Sequence, residues 1–306
     1  MIRLGTSAPV AQEIAGYQQA LTYIQALSRA PAFRYDVGVL NALNFMVIGH
    51  HRNKGPGVIR PGAIYIRDTD TGEVVYEGPD VEVVPGAMNE LVTWLNEGGL
   101  DAPGHVRAAM AHFNLVKIHP WRDGNGRMSR ALQTLVLGRE QILLPEFCSI
   151  EEWLGRQRVT LDHYDVLRQV GGRRWSPHGD TLPWVRFCLK AHHLQAQRVR
   201  QRLAEAGEIW MLLEEQIDAD GLNSRTVSAL YEVFVNRRLR RSRYQADEGL
   251  SQGQAARDLR DLAAKGWLRP YGETKGRFYA PGPRMERIKA DFAERVTPLR
   301  DPYRVV

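Results

Sequence analysis

The segment HPWRDGNGRMSR, residues 119–130, holds side chains that can move a proton and bind phosphate. His119 is its one side chain whose ordinary pKa lies near neutrality, so it is a candidate base. Asp123 supplies a hard oxygen ligand, which suits Mg²⁺ held jointly with phosphate oxygens. Gly124 and Gly126 allow positive φ and a close approach of the backbone to a bound group. Together these residues predict a phosphate site with a base beside it.

The segment lies between two predicted helices, which fix the positions of its side chains and backbone amides. Pro120 ends the first helix, and a second helix restarts near Arg127. The first amides of that second helix have no helical partner and carry the positive end of its dipole, so with the glycines they form an anion cradle. Arg127 and Arg130 are three residues apart and can project from one helical face toward the anion. Asn125 can donate its side-chain amide to a phosphate oxygen.

The same segment resembles the signature of the Fic-domain family, His-Pro-Phe-x-Asp/Glu-Gly-Asn-Gly/Lys-Arg-x-x-Arg. Every functional position is matched by type, and Trp121 replaces the usual Phe as the aromatic anchor. The resemblance extends over roughly residues 10 to 200. It includes PGVIRPGAIYI, where the family has its target-docking flap, and AHFNLVKIHPW, which resembles the helix leading into the loop.

The resemblance implies a protein adenylyltransferase that transfers AMP from ATP to a Tyr, Thr or Ser hydroxyl of a target protein or of itself. In this role His119 takes the proton of the attacking hydroxyl, and Asp123 holds Mg²⁺ against the α- and β-phosphates. Tyr164 lies where the family often places a residue against the adenine, although a helix-core tyrosine fits the pattern equally well. The resemblance implies further ATP-binding positions at Gly124, Asn125, Gly126, Arg127 and Arg130. Of these, Asn125, Arg127 and Arg130 are also implied to be catalytic.

A β-hairpin is predicted within the flap, at about residues 56–80. The alternating stretches AIYIRD and EVVYEG flank the turn signal TDTG. Its edge at Ile64, Tyr65 and Ile66 can receive a target segment as an added strand. An ordinary hairpin that covers a helical bundle is the alternative interpretation.

Many family members restrain the second motif arginine with a glutamate from a Ser/Thr-x-x-x-Glu-Gly/Asn helix. One literal match, at 93–98, falls in the helix after the flap, and we interpret it as chance. The expected position lies upstream of residue 13, where about a dozen residues precede the first predicted helix. Either the chain is shortened at its N-terminus or inhibition comes from elsewhere, and we predict that no glutamate of this chain restrains Arg130. We interpret His112, which precedes the loop, as structural.

Composition excludes several classes of protein. The 306 residues are 43% hydrophobic, and no stretch of about 18 apolar residues predicts a membrane span. Cys148 and Cys188 lie too far apart in sequence for a metal-ligand spacing or a disulfide framework, so we expect a cytoplasmic protein.

Positive charge is concentrated in the last quarter of the chain. Residues 221–306 hold 18 basic and 10 acidic residues, which gives +8, whereas the first 220 residues carry −2. Residues 224–283 predict three helices and a hairpin, the order of a winged helix-turn-helix, with Ser251 as N-cap of the third helix. In that helix the positive charges of Arg257, Arg260 and Lys265 are largely offset by two aspartates. The partner of this domain can therefore be DNA or a protein, and a homodimer is also possible from the sequence.

The sequence thus predicts a mainly α fold. A Fic-type helical bundle with a β-hairpin flap and catalytic loop 119–130 occupies residues 1–217. A small α+β winged helix-turn-helix domain and a tail follow at 218–306. The alternative function is a DNA-binding regulator whose Fic domain senses nucleotide, but such a sensor needs no base, so His119 favours the enzyme. Transfer of another phosphate-linked group, or removal of AMP, also stays open.

Overall fold

A computed structural model shows a mainly helical chain with two small antiparallel hairpins among the residues it describes, which are 8–68, 71–141, 150–155, 157–273, 276–294 and 298–303. Cys148 lies outside those residues. The chain divides into unit 1, Met1–Ala196 with Asp301–Val306, and unit 2, Gln197–Arg300. The division falls within one long helix, and the boundary at residues 217 and 218 stays a prediction.

Five helices of unit 1 pack around one hydrophobic core. They are α1 Ala8–Arg29, α2 Val37–Ile48, α3 Val84–Glu97, α4 Gly104–Ile118 and α5 Asn125–Arg139. Helices α4 and α5 flank the motif segment, and each presents fully buried apolar side chains such as Leu115 and Leu132. The segment between them is therefore anchored at both ends by the core.

Three further helices follow in the chain: α6 Glu151–Leu154, α7 Gln157–Gly171 and α8 Leu182–Ala219. In unit 1, Trp184 and Cys188 of α8 pack against Phe113 of α4, and the indole Nε1 of Trp184 donates to the Ala109 carbonyl at 2.7 Å. This smaller cluster fixes the outer side of α4.

The predicted flap hairpin is present, and it consists of β1 Tyr65–Arg67 and β2 Val74–Glu77. The strands are antiparallel, with Tyr65 opposite Glu77 and Ile66 opposite Tyr76. The outer edge of β2 contacts the segment between α7 and α8, because the Glu77 amide donates to Arg173 O at 2.8 Å and its carbonyl accepts from Trp175 N at 3.0 Å. That third segment was not predicted from the sequence.

Unit 2 contains the predicted order of three helices and a hairpin: α9 Thr226–Asn236, α10 Arg241–Asp247, α11 Gln252–Ala264, β3 Leu268–Tyr271 and β4 Phe278–Pro281. Ser251 caps α11 in a capping box with Gln254, as its position predicted. Leu239 exchanges two backbone hydrogen bonds with Tyr279, at 2.8 and 2.7 Å, which adds the α9–α10 connection to the hairpin. Trp267 is fully buried in the core of this unit.

The C-terminal tail, for which the sequence predicted no element, contains a helix, α12 Pro283–Glu294. Met285, Ile288 and Phe292 recur at helical spacing and pack on the unit 2 core. Within the described residues, no helix combines the length and apolar character needed to cross a bilayer.

Candidate active site

His119 lies at the end of α4 in a left-handed conformation, with φ 51° and ψ 57°. Because Pro120 follows it, the right-handed helical region is disfavoured, and its amide closes α4 on the Leu115 carbonyl at 3.0 Å. A non-glycine residue in this region costs on the order of 1 kcal/mol or more, so the surrounding contacts must hold it.

The ring of His119 is held in the form that a base requires. Its Nδ1 lies 2.9 Å from the Val116 carbonyl oxygen, and since a carbonyl only accepts, Nδ1 carries the hydrogen. The lone pair is then on Nε2. Burial lowers the pKa of His119 to about 4, so the ring is neutral at pH 7. A neutral imidazole with a bare Nε2 can accept a proton from a hydroxyl.

Arg60 connects the flap to this histidine. Its side chain is only 2% exposed, and Nε donates to the His119 carbonyl at 2.9 Å. Its two terminal nitrogens donate to the carbonyls of Gly62 and Pro79, each at 2.5 Å, and its backbone amide donates to Pro120 O at 2.9 Å. Sequence reasoning missed this role, although an arginine enclosed in the apolar and glycine-rich stretch PGVIRPGA was a signal.

The side chain of Asn44, on α2, is hydrogen-bonded both to the start of the flap and to the loop. This fully buried side chain donates to the Asp123 carbonyl at 3.1 Å and accepts from the Gly57 amide at 2.9 Å. Gly124 lies over the same helix with φ 81°, and a Cβ there would lie 2.8 Å from Cγ2 of Ile48. A glycine is therefore required at this point of the loop.

Asn125 closes the loop on itself. Its Oδ1 accepts from the Trp121 amide at 3.1 Å, its Nδ2 donates to the Trp121 carbonyl at 2.8 Å, and the residue is 3% exposed. These bonds give Asn125 a positioning role, and its donation to a phosphate stays a prediction. Trp121 is fully buried, with its Nε1 donating to Asn41 Oδ1 at 2.9 Å, as expected of an aromatic anchor.

The start of α5 presents free amides to the loop. The helix begins at Asn125, two residues before the predicted start, and its first helical hydrogen bond runs from Met128 N to Gly124 O at 2.8 Å. Among the described residues, the backbone amides of Asn125, Gly126 and Arg127 have no acceptor. Three aligned donors at a helix N-terminus are able to bind an anion, and phosphate binding by this cradle stays a prediction.

Arg127 bridges two carboxylates. Its guanidinium lies 2.5 Å from Glu13 Oε1 and 3.2 Å from Asp123 Oδ1. Glu13 comes from α1, and sequence reasoning missed it because 114 positions separate the pair. The structure places a glutamate against Arg127, the first motif arginine, whereas the prediction concerned Arg130.

The chance match at 93–98 lies elsewhere, since Glu97 pairs with Arg34 at 3.0 Å on an exposed surface. A Cβ on Gly126 would lie 3.5 Å from Nη1 of Arg130, so the second motif arginine runs alongside the loop. His112 is 1% exposed and shares a 2.6 Å hydrogen bond with Gln133, in agreement with its structural interpretation.

Asp123 is the predicted metal ligand of the loop. Its Oδ1 accepts from the Gly124 amide at 2.6 Å, and its side chain is about one-third exposed. No group of three or more potential ligands occurs among the described residues, so a metal held by them would need ligands from the substrate as well. One carboxylate plus substrate phosphate oxygens is the usual arrangement for Mg²⁺, and Asp123 fits it.

The remaining predicted residues lie on α7 and the flap. Tyr164 is 57% exposed, so the helix-core interpretation is wrong and its contact with adenine stays a prediction. Tyr65 is 49% exposed on β1. Within the part of the flap that the structure describes, no strand pairs with the outer edge of β1, whereas β2 is covered by residues 173–175.

Comparison with known proteins finds similarity over the part of the chain that contains this loop. Residues 34–137 match the Fic/DOC family. The matched segment, which we call the Fic segment for this similarity, contains the flap, α4, the loop and most of α5. The chain is 26% identical over 179 residues to a Nematostella vectensis protein named protein adenylyltransferase Fic, covering 58% of this chain and 37% of that protein. It is 34% identical over 185 residues to an Aedes aegypti protein of the same name, covering 60% and 33%.

The chain thus spans about a third of the length of these relatives. A Fic family protein from Desulfovibrio desulfuricans has a similar solved structure, with a TM-score of 0.52 and 21% identity, covering 91% of this chain and 77% of that one. That likeness supports the fold alone.

Proposed function

We propose that this protein is an adenylyltransferase that transfers AMP from ATP to a hydroxyl of a protein. The observation that carries the proposal is the neutral His119, with its Nε2 lone pair available beside a helix N-terminus whose first amides have no acceptor. The relatives named protein adenylyltransferase Fic support the same reaction.

In the proposed reaction the target hydroxyl oxygen attacks the α-phosphorus of ATP. His119 Nε2 takes the hydroxyl proton, the bond from the α-phosphorus to the bridging oxygen breaks, and pyrophosphate leaves with that electron pair. The amides of residues 125–127 hold phosphate oxygens, and Arg127 and Arg130 balance the charge of the departing group. Asp123 would hold Mg²⁺, which when bound neutralises phosphate charge.

The flap supplies a place for the target. Since β2 is covered, a target segment can add only to the outer edge of β1, along Ile64, Tyr65 and Ile66. Arg60 ties the base of this hairpin to His119, so a segment paired with β1 is held at a fixed position relative to the base. The target residue can be Tyr, Thr or Ser, including a hydroxyl of this chain.

The deciding experiment compares ATP labelled at the α-position with ATP labelled at the γ-position. Label from the α-position should appear on protein, and His119→Asn should reduce it by at least about 10². Asparagine tolerates the left-handed conformation, which keeps the loop intact. His178→Asn, at an exposed histidine of unit 1, is the matched control. Equal labelling by the His119 variant, or label only from the γ-position, contradicts AMP transfer.

Unit 2 is proposed to be a winged helix-turn-helix domain. Three helices, a hairpin and the Leu239–Tyr279 bridge support that assignment. The alternative in which the Fic segment only senses nucleotide is less well supported, because a sensor has no use for the fixed tautomer of His119. Transfer of a terminal phosphate is distinguished from transfer of AMP by the position of the label, because a terminal phosphate carries only the γ-label and AMP carries only the α-label.

A further inference from the structure

The part of α8 that belongs to unit 2 carries an exposed apolar face. Leu203, Trp210 and Met211 are 64%, 38% and 59% exposed. The side chains that hold this helix in the core of the unit lie on its other side, and they are Ile209, Leu213 and Ile217. Packing within the unit therefore leaves large apolar side chains in contact with solvent. We call this surface the α8 face, and it consists of Leu203, Ala204, Gly207, Trp210 and Met211.

Gly207 lies in the middle of the α8 face, and the packing of the chain does not account for it. A glycine inside a helix is destabilising relative to alanine. A Cβ at Gly207 would meet no atom within 4 Å, so no contact of the described chain requires the glycine. A missing side chain on a helix surface lets another backbone approach closely. An exposed glycine between large exposed apolar side chains thus marks a point at which a second helix can cross α8.

Arg200 and Glu214 place opposite charges at the two ends of the α8 face. Each lies seven positions from Gly207, and their helical spacing puts them on the same side of α8 as this glycine. Both are exposed, and neither forms an ion pair among the described residues. Glu214 accepts one hydrogen bond, from Trp210 Nε1 at 3.0 Å, through Oε1. Its Oε2 can therefore accept from a cation of another chain.

These charges and side-chain sizes identify the second helix as α8 of another copy. An antiparallel pair that crosses at Gly207 sets residues equally far before and after this glycine against each other. Arg200 of one copy then faces Glu214 of the other, and by symmetry this contact occurs twice. The same pairing sets Leu203 against Met211 and the small Ala204 against the large Trp210. A parallel pair would instead set each charge against its own kind, which is repulsive.

We infer that the α8 face joins two copies of this chain as an antiparallel helix pair centred on Gly207. Residues 200–214 span only about 21 Å of helix, so the contact is small and the dimer should be in equilibrium with single chains. This interface does not depend on the proposed transfer of AMP, so either inference can fail while the other holds.

Sedimentation velocity of the full chain, at concentrations from about 1 to 100 µM, tests this interface. The mean mass should rise from that of one chain toward that of two. Gly207→Leu should weaken self-association at least about tenfold, because a side chain at the crossing separates the helices. This variant should stay folded, since the position is open within the described chain and leucine is a better helix former than glycine. A wild-type circular dichroism spectrum checks that the fold is kept.

Charge reversal tests the direction of the pair. Arg200→Glu and Glu214→Arg should each weaken self-association by roughly tenfold, since two attractive contacts become repulsive. An equimolar mixture of these variants should form dimers again, because one then carries two acidic groups and the other two basic groups at the paired positions.

Arg287→Glu is the matched control, because this exposed arginine of α12 gives the same change in net charge and lies off the α8 face. It should associate as the wild type does. A wild-type chain that stays monomeric at the highest concentration, or unchanged association of Gly207→Leu, overturns the inference. A mixture of the two charge variants that associates no more tightly than either variant alone overturns the antiparallel pairing.

Discussion

Acid should destabilise unit 1 steeply, because its buried histidines must remain neutral. Burial lowers the pKa of His119, His163 and His192 to about 4 each, whereas an unfolded histidine has a pKa near 6.5. Their neutral forms therefore stabilise the fold fully above pH 6.5, and this stability is lost as the pH falls from 6.5 toward 4. Burial also lowers the pKa of His112 well below its usual value, so near pH 5 the unfolded chain binds roughly four more protons at these four histidines. The free energy of unfolding should therefore fall by about 5 kcal/mol per pH unit.

The assay is urea unfolding at closely spaced pH values between 7 and 5, followed by tryptophan fluorescence. Five of the seven tryptophans lie before residue 197, so the signal reports mainly on unit 1. His119→Asn should reduce the slope by about 1.4 kcal/mol per pH unit, since one proton is then no longer taken up. His178→Asn should leave it unchanged, because His178 is exposed.

The same pKa predicts the pH dependence of the proposed activity. A base with a pKa near 4 stays neutral, so kcat/KM for labelling should be nearly constant from pH 8 to 6. A histidine with an ordinary pKa would lose about fourfold over that range. Two results would contradict a neutral His119 in the folded protein. One is a wild-type slope of the free energy of unfolding against pH in the His119 variant, and the other is a fourfold fall in labelling between pH 8 and pH 6.

Two further predictions concern the contacts that hold the loop. Arg60→Met removes three hydrogen bonds from a charged donor to carbonyls, and we expect a loss of about 2–4 kcal/mol in urea unfolding and a larger fall in kcat than rise in KM for ATP. Arg67→Met, on the exposed face of β1, is its control, and equal losses in both variants would contradict a positioning role for Arg60. Glu13→Gln frees Arg127 from a half-exposed ion pair worth about 0.2–1 kcal/mol, so labelling at low ATP should rise by up to about fivefold. Glu97→Gln should have no effect, and an unchanged rate in the Glu13 variant would mean that Arg127 binds the nucleotide without leaving its partner.

The local backbone geometry of the loop could be predicted from the sequence because it depends on neighbours in the chain. The proline after His119, the glycine at 124 and the arginines three apart impose their geometry over a few residues. The hairpin of the flap and the capping box of Ser251 are local in the same sense. Even here the start of α5 was placed two residues late, because the Asn125 hydrogen bonds to Trp121 that close the turn have no signature in the sequence.

The contacts that hold the loop could not be predicted, since they join distant positions. Arg60 reaches His119 across 59 positions, and Asn44 reaches Asp123 across 79. Each is a polar residue in an apolar surrounding, which marks it as buried and hydrogen-bonded but does not name its partner. The helix α12 is a different case. The helical spacing of Met285, Ile288 and Phe292 is present in the sequence, but the surrounding residues are mostly polar and give only a weak helical pattern.

The pairing of Glu13 with Arg127 links the proposed nucleotide site to α1. Arg127 contacts Glu13 and Asp123 at once, so the residue proposed to hold pyrophosphate and the residue proposed to hold Mg²⁺ share one ion cluster. A metal and phosphates entering the loop compete for both partners of that cluster. Since α1 packs directly on α5, loss of the Glu13 contact alters an ion pair between two helices of the core and not only a surface charge. Binding of ATP and the packing of α1 should therefore be coupled, although none of the groups proposed to bind ATP lies on α1.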